Sequence, residues 1–209
     1  MSLQNNEYFK EYDLMIVSPG GCCHTLIYDL ITRSINEQNI KLNMNSRDDN
    51  DNLKHISDFK NSVFNSNKVK KILYIYRNTL SIINSHFRRN WYKMQYKKIS
   101  KYEDYNSEHL FDNKSELFEN CLNKKKDISN VSQHVMNWSE YKGDIYFLNI
   151  DYINKKSLFN FLGFKINDID DIKYKNTYID EECIIKFYKN IDDKLKNIFI
   201  DNNKKYDGA

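Results

Sequence analysis

The sequence predicts an α/β protein, a parallel sheet flanked by helices, and three observations carry that expectation. Three short runs, Leu14 to Val17, Ile72 to Tyr76 and Ile145 to Ile150, are nearly continuous in β-branched, aliphatic and aromatic residues, as strands buried on both faces are. Each precedes a segment that reads as a helix, and alternating strands and helices build a parallel sheet covered on both sides. The chain of 209 residues suits one domain that buries about 70% of the surface its unfolded form exposes. With one Pro, five Gly and no internal repeat, nothing divides it, so a single domain is expected over 1–209.

The first strand runs into the turn Ser18 to Thr25. After the second, Leu80, Ile83, Phe87 and Trp91 recur at offsets of three and four, which predicts one helix with these four side chains facing the core. Further helices are expected over Ser132 to Tyr141, Lys155 to Leu162 and Glu181 to Phe199. The last carries Cys183, Phe187, Ile191 and Leu195 every four residues, and Gly163 reads as a helix stop. The polar stretches Lys41 to Asn52 and Ser100 to Asn130 are expected to be long surface connections.

Composition excludes several classes. With 40% hydrophobic and 29% charged residues, 16 Tyr and 12 Phe, the chain is globular rather than disordered. A net charge of +3 is too small for a nucleic-acid-binding face, and Lys124 to Lys126 reads as a solvated loop. Cys22, Cys23, Cys121 and Cys183 form no C-x-x-C pair and no zinc spacing, so no metal and a reducing compartment are expected. Met1 to Lys10 is polar, and no uncharged apolar run approaches the ~18 residues of a membrane span. A cytoplasmic protein without membrane association is the expectation.

Ligands of such sheets bind beyond the carboxyl ends of the strands. After the first strand, Ser18-Pro19-Gly20-Gly21-Cys22-Cys23-His24-Thr25 leads into a helix whose free amides and dipole favour an anion. It lacks the G-x-x-x-x-G-K-[ST] pattern, and no Lys lies between Lys10 and Lys41, which disfavours ordinary nucleoside-triphosphate hydrolysis. The bland reading is a tight strand-to-helix turn. After the second strand Arg77 offers a planar fork of donors, and Ser85 follows eight residues later. An Arg at a strand end is otherwise a common ion-pair partner.

The run Ile72-Leu73-Tyr74-Ile75-Tyr76-Arg77-Asn78 with Ser85 resembles the 3′-phosphate motif of the sulfotransferases, a P-loop-like nucleotide-hydrolase fold. His134-Val135-Met136-Asn137-Trp138, the strand to Asp151, and Phe161-Leu162-Gly163 are similar to later family landmarks in the same order, so the resemblance spans 13–164. Leu53-Lys54-His55 stands where many members carry a Lys-Thr-His segment, with His55 22 residues before Arg77. The resemblance implies a transferase that moves a sulfuryl group from 3′-phosphoadenosine 5′-phosphosulfate to a hydroxyl or amine, without a metal. The acceptor is expected to be a small molecule or a peptide.

In that reading Gly20, Gly21, Cys22, Cys23, His24 and Thr25 hold the 5′-phosphosulfate, Arg77 and Ser85 hold the 3′-phosphate, and His55 is the base. Two departures stand out: Gly20 occupies the place of the family's first-turn Lys, and Thr79 that of its Pro. His24 could supply the missing positive charge as an imidazolium, whereas Arg88 and Arg89 are expected to face solvent. The absent Lys also motivates an alternative, a descendant that binds nucleotide or a protein partner without turnover.

Overall fold

The computed structural model describes residues 10–48, 52–172 and 181–208, so most of the polar N-terminal stretch and part of the Lys41 to Asn52 connection lie outside the described residues. In chain order the elements are β1 (Glu11–Val17), α1 (His24–Glu37), a one-turn α2 (Ser62–Asn65), β2 (Lys68–Tyr76), α3 (Thr79–Arg88), α4 (Tyr92–Ile99), α5 (Lys114–Lys124), α6 (Val131–Ser139), β3 (Asp144–Asn149), α7 (Lys155–Leu162) and α8 (Glu182–Asp207). The three expected strands are all present and form one parallel sheet in the order β1-β2-β3, with Met15 opposite Ile72 and Ile72 opposite Ile145.

β2 lies in the middle, and Ile72 to Tyr76 are buried without break, which is why they read as a continuous apolar run. The outer edge of β1 is covered by the chain at 43–45. Asn43 O accepts from Asp13 N and Leu14 N, while fully buried Asn45 accepts from Ile16 N at 2.7 Å and donates to Ile16 O at 3.2 Å. One amide side chain thus satisfies edge groups that would otherwise be left open. The part of the Lys41 to Asn52 stretch that is described is therefore not simple surface, and Ser100 to Asn130 also departs from the expected loop. It contains α5, whose Leu117, Phe118 and Cys121 are buried.

Two helical stripes differ from the expectation. α3 ends at Arg88, so Trp91 lies outside it as the N-cap of α4, and Leu80 and Phe87 are only partly buried. The deeper face carries Ile82 and Ile83, which join the hydrophobic core, and the polar Ser81, Asn84, Ser85 and His86, of which Ser85 and His86 lie against the β1–α1 turn. On α8 the buried positions are Ile184, Tyr188, Leu195 and Phe199, while Cys183 is exposed. A strict four-residue spacing drifts around a helix of 3.6 residues per turn, so the expected stripe begins one position off.

α8 is fastened to the start of α3 by Asp192, which accepts from Tyr76 Oη at 2.8 Å, Thr79 N at 3.0 Å and Thr79 Oγ1 at 2.6 Å. The Thr79 N–H is thereby used, and a proline there would delete that bond. Burial raises the Asp192 carboxyl to about 6, with the Thr79 and Tyr76 bonds pulling the other way. A carboxyl raised on folding binds its proton more tightly in the folded state, so its protonation favours folding as pH falls through about 6 toward the unfolded value. Wild-type stability measured against Asp192→Asn is therefore expected to rise by about 3 kcal/mol between pH 7 and pH 4, two pKa units at 1.36 kcal/mol each. Urea titrations at the two pH values check this, and a difference that falls or stays flat contradicts it. No helix among the described residues is long and apolar enough to cross a membrane.

Candidate functional site

Gly20, Gly21 and Cys23 all have positive φ, at 83°, 69° and 61°, and they curl the chain from β1 into α1. Cys23 is the N-cap of α1 but makes no side-chain capping bond, and the first turn carries no acid. The leading amides of a helix have no partner within it, so this end is electrically suited to an anion. A cavity of about 370 Å³ opens there, lined by Gly20, Gly21, Cys23, His24 and Thr25 from the turn, Leu26 and Asp29 from α1, the latter paired with Arg47 at 3.1 Å, Lys54 and His55 from the loop before α2, and Arg89, Trp91 and Gln95 from the far side.

The structure thus brings together five of the six expected turn residues and His55. The Cys22 side chain is the exception: it is fully buried, its thiol donates to Ile75 O at 3.3 Å, and burial pushes it up to about 12. Only its backbone is left for a ligand, and it is no reactive thiolate. His24 is buried, with Nε2 3.2 Å from Ile16 O and its ring stacked on Tyr28.

His55 is held from several sides. Ser18 N donates to Lys54 O, and His55 Nδ1 lies 2.7 Å from Ser18 O, which makes Nδ1 the protonated nitrogen and leaves Nε2 as an acceptor. The next carbonyl, Ile56 O, accepts from His134 Nε2 at 2.8 Å and Trp138 Nε1 at 3.2 Å, and His134 Nδ1 takes the Tyr74 hydroxyl at 2.6 Å. The His and Trp of α6 therefore act at one remove, by clamping the loop that carries His55. Burial drives His55 well below the ordinary 6.5, so it is a neutral imidazole at pH 7. His55 is buried rather than a surface side chain.

Arg77 and Ser85 sit behind the turn rather than in the cavity wall. Both are buried; Arg77 Nη2 is 3.7 Å from Asp151 Oδ1, and Asp151 also accepts from Asn78 N at 2.9 Å. The field of Arg77 nevertheless reaches the Cys23 thiol, as does that of Arg89. Ser85 lies against the turn, since a Cβ added to Gly21 would come within 3.1 Å of Ser85 Cβ.

A side chain at position 20 would be crowded and strained. A Cβ on Gly20 would lie 3.1 Å from Gln95 and 3.2 Å from His86 Nε2, on a backbone at φ 83°. Burial lowers His86 to about 4, so no charge comes from below. His86 Nε2 and Gln95 Oε1 are buried without hydrogen-bond partners, a pair that a single water or ligand group would satisfy. Two cations line the cavity: Lys54, whose ammonium donates to Arg47 O at 3.0 Å, and Arg89, whose guanidinium lies 5.0 Å from the Trp91 ring centre; Arg88 is exposed and outside the lining. Both arginines are exposed, as the sequence spacing leads one to expect, and Arg89, just beyond the end of α3 at Arg88, also lines the cavity.

These elements define an α/β protein with a three-stranded parallel sheet and a polar cavity at the carboxyl end of its first strand. In comparisons with known proteins no family model matches the chain, and no curated protein or solved structure matches it.

Proposed function

We propose that this chain is a sulfotransferase-like enzyme that binds 3′-phosphoadenosine 5′-phosphosulfate at the β1–α1 turn and transfers its sulfuryl group to a hydroxyl or amine. The observation that carries the reading is that the turn, a neutral His55 of fixed tautomer and Arg89 line one cavity. The amides from Gly20 to Thr25 hold the phosphosulfate, and Arg89 takes the electrostatic part for which Gly20 leaves no lysine. His55 Nε2 accepts the acceptor's proton as the acceptor oxygen or nitrogen bonds to sulfur. The S–O bond to the 5′-phosphate breaks, and its electron pair stays on the departing adenosine 3′,5′-bisphosphate. Arg77 and Ser85 receive the 3′-phosphate once Asp151 yields its 3.7 Å contact.

Transfer of radiolabelled sulfate to a panel of phenols, sugars and hydroxy acids tests the reaction. Wild type is expected to label an acceptor, and His55→Gln to do so about 10² to 10⁴ times more slowly, the usual contribution of a general base. Transfer that His55→Gln leaves unchanged contradicts the assignment of the base. The closed lysine position favours a second reading, a protein that binds the nucleotide without turnover. Saturable bisphosphate binding with no transfer to any acceptor selects it.

A further inference from the structure

The carbonyls on either side of His55 are both held. Lys54 O accepts from Ser18 N at 3.0 Å, and Ile56 O accepts from His134 Nε2 at 2.8 Å and from Trp138 Nε1 at 3.2 Å. His134 is fully buried, and burial lowers it to about 4, so at pH 7 its ring is neutral and carries a single N–H. A carbonyl oxygen can only accept, so that proton stands on Nε2, facing Ile56 O, and Nδ1 must accept. What Nδ1 accepts from is the Tyr74 hydroxyl at 2.6 Å, which burial holds well above the ordinary 10 and thus keeps protonated. Tyr74 belongs to the middle strand β2 and stands opposite Val17 of β1, the residue before Ser18, whose carbonyl lies 2.7 Å from His55 Nδ1. The two sides of the clamp on His55 therefore start from neighbouring positions of one sheet.

From this chain of bonds we infer that Tyr74, although it does not line the cavity, is a positioning residue for the base. Its hydroxyl fixes the tautomer and ring orientation of His134, and His134 holds Ile56 O. The loop so held keeps the His55 ring on Ser18 O, with the proton on Nδ1 and Nε2 left to accept. The inference rests on the sulfotransferase reading for what Nε2 does, and on these bonds alone for how the ring is held. Without the hydroxyl, His134 Nδ1 is a buried acceptor with no donor, and the ring gains by turning. Ile56 O then loses one of its two donors, and His55 is freed to leave Ser18 O. A histidine's tautomer follows the bond that its other nitrogen makes, so the Nε2–H form of His55, which cannot take a proton at Nε2, grows.

The test uses the full chain with ¹⁵N-labelled histidine, in which imidazole nitrogen shifts and couplings report the tautomer of each ring. In wild type His134 is expected in the Nε2–H form and His55 in the Nδ1–H form, and the opposite tautomer at either ring overturns the inference without any variant. Tyr74→Phe removes one oxygen and keeps the ring packed on Phe147 and Trp138. It is expected to turn His55 into a mixture of both tautomers and to lower kcat for sulfate transfer about tenfold at little changed KM, the weight of one hydrogen bond. His134→Gln, whose amide can keep a donor at Ile56 O, is expected to hold His55 in the Nδ1–H form, and His134→Leu to release it. Adding Tyr74→Phe to His134→Leu is expected to change the His55 signal no further, because Tyr74 acts through His134. An unchanged His55 tautomer in Tyr74→Phe, or an additive double variant, overturns the inference and leaves Tyr74 a packing residue. If the tautomers come out as expected and no acceptor is labelled, the positioning stands and sulfuryl transfer falls. If an acceptor is labelled and Tyr74→Phe changes neither tautomer nor rate, the positioning alone falls.

Discussion

Gly21→Ala is expected to lower the unfolding free energy by about 2 to 4 kcal/mol, the largest stability loss of any single methyl in this protein's turn. The backbone there has φ 69°, where an L side chain costs roughly 1 to 2 kcal/mol. The added carbon would also lie 3.1 Å from Ile82 O and 3.1 Å from Ser85 Cβ. A helix carbonyl cannot swing aside as the end of a flexible side chain can, so α3 itself would have to move. Because α3 carries Ser85 and leads to Arg89, the same variant should weaken anion binding. Urea unfolding reads the first effect, and a midpoint within error of wild type would show that the turn is looser than its close contacts imply.

Arg89→Glu is expected to have the largest effect on activity, a fall in transfer rate of about 10² to 10³ with little change in stability. The side chain is exposed and makes no described ion pair, so folding loses only its contact with Trp91, while the cavity exchanges a cation for an anion beside the α1 N-terminus. Arg89→Lys should recover part of the rate, since it keeps the charge and gives up the planar fork. Raising ionic strength should narrow the gap between wild type and Arg89→Glu, because a charge at the mouth of a cavity is screened within about 8 to 10 Å. Equal rates for wild type and Arg89→Glu would remove Arg89 from the account.

The strands were legible because burial on both faces leaves a run with no polar interruption, as in Ile72 to Tyr76. The turn was legible because Gly20-Gly21 after such a run has few other uses. What could not be read were relations between distant side chains. Arg77 at a strand end is visible in the sequence, but its companion Asp151 lies 74 residues on, and only the pairing of β2 with β3 brings them together. Asp192, which occupies the Thr79 amide, lies 113 residues away on a helix whose exposed and buried positions alternate too irregularly to mark it. His86 and Gln95 look like ordinary helix residues until the turn is laid across them, and Arg89, exposed as its spacing suggests, also lines the cavity. His55 was found by its distance from Arg77, whereas the clamp that fixes it, Ile56 O between His134 and Trp138, depends on the packing of α6.

In the proposed reading the turn from Gly20 to Thr25 holds the phosphate end of a nucleotide. A titration of the ¹⁵N-labelled chain with adenosine 3′,5′-bisphosphate, read at backbone amides and arginine side chains, tests it most directly. Saturable shifts are expected at Gly20, Gly21, Cys23 and Thr25, with the Arg77 and Arg89 guanidinium signals moving in step. Absence of saturation at millimolar ligand, or shifts confined to surfaces away from the turn such as the exposed face of α8, would contradict it.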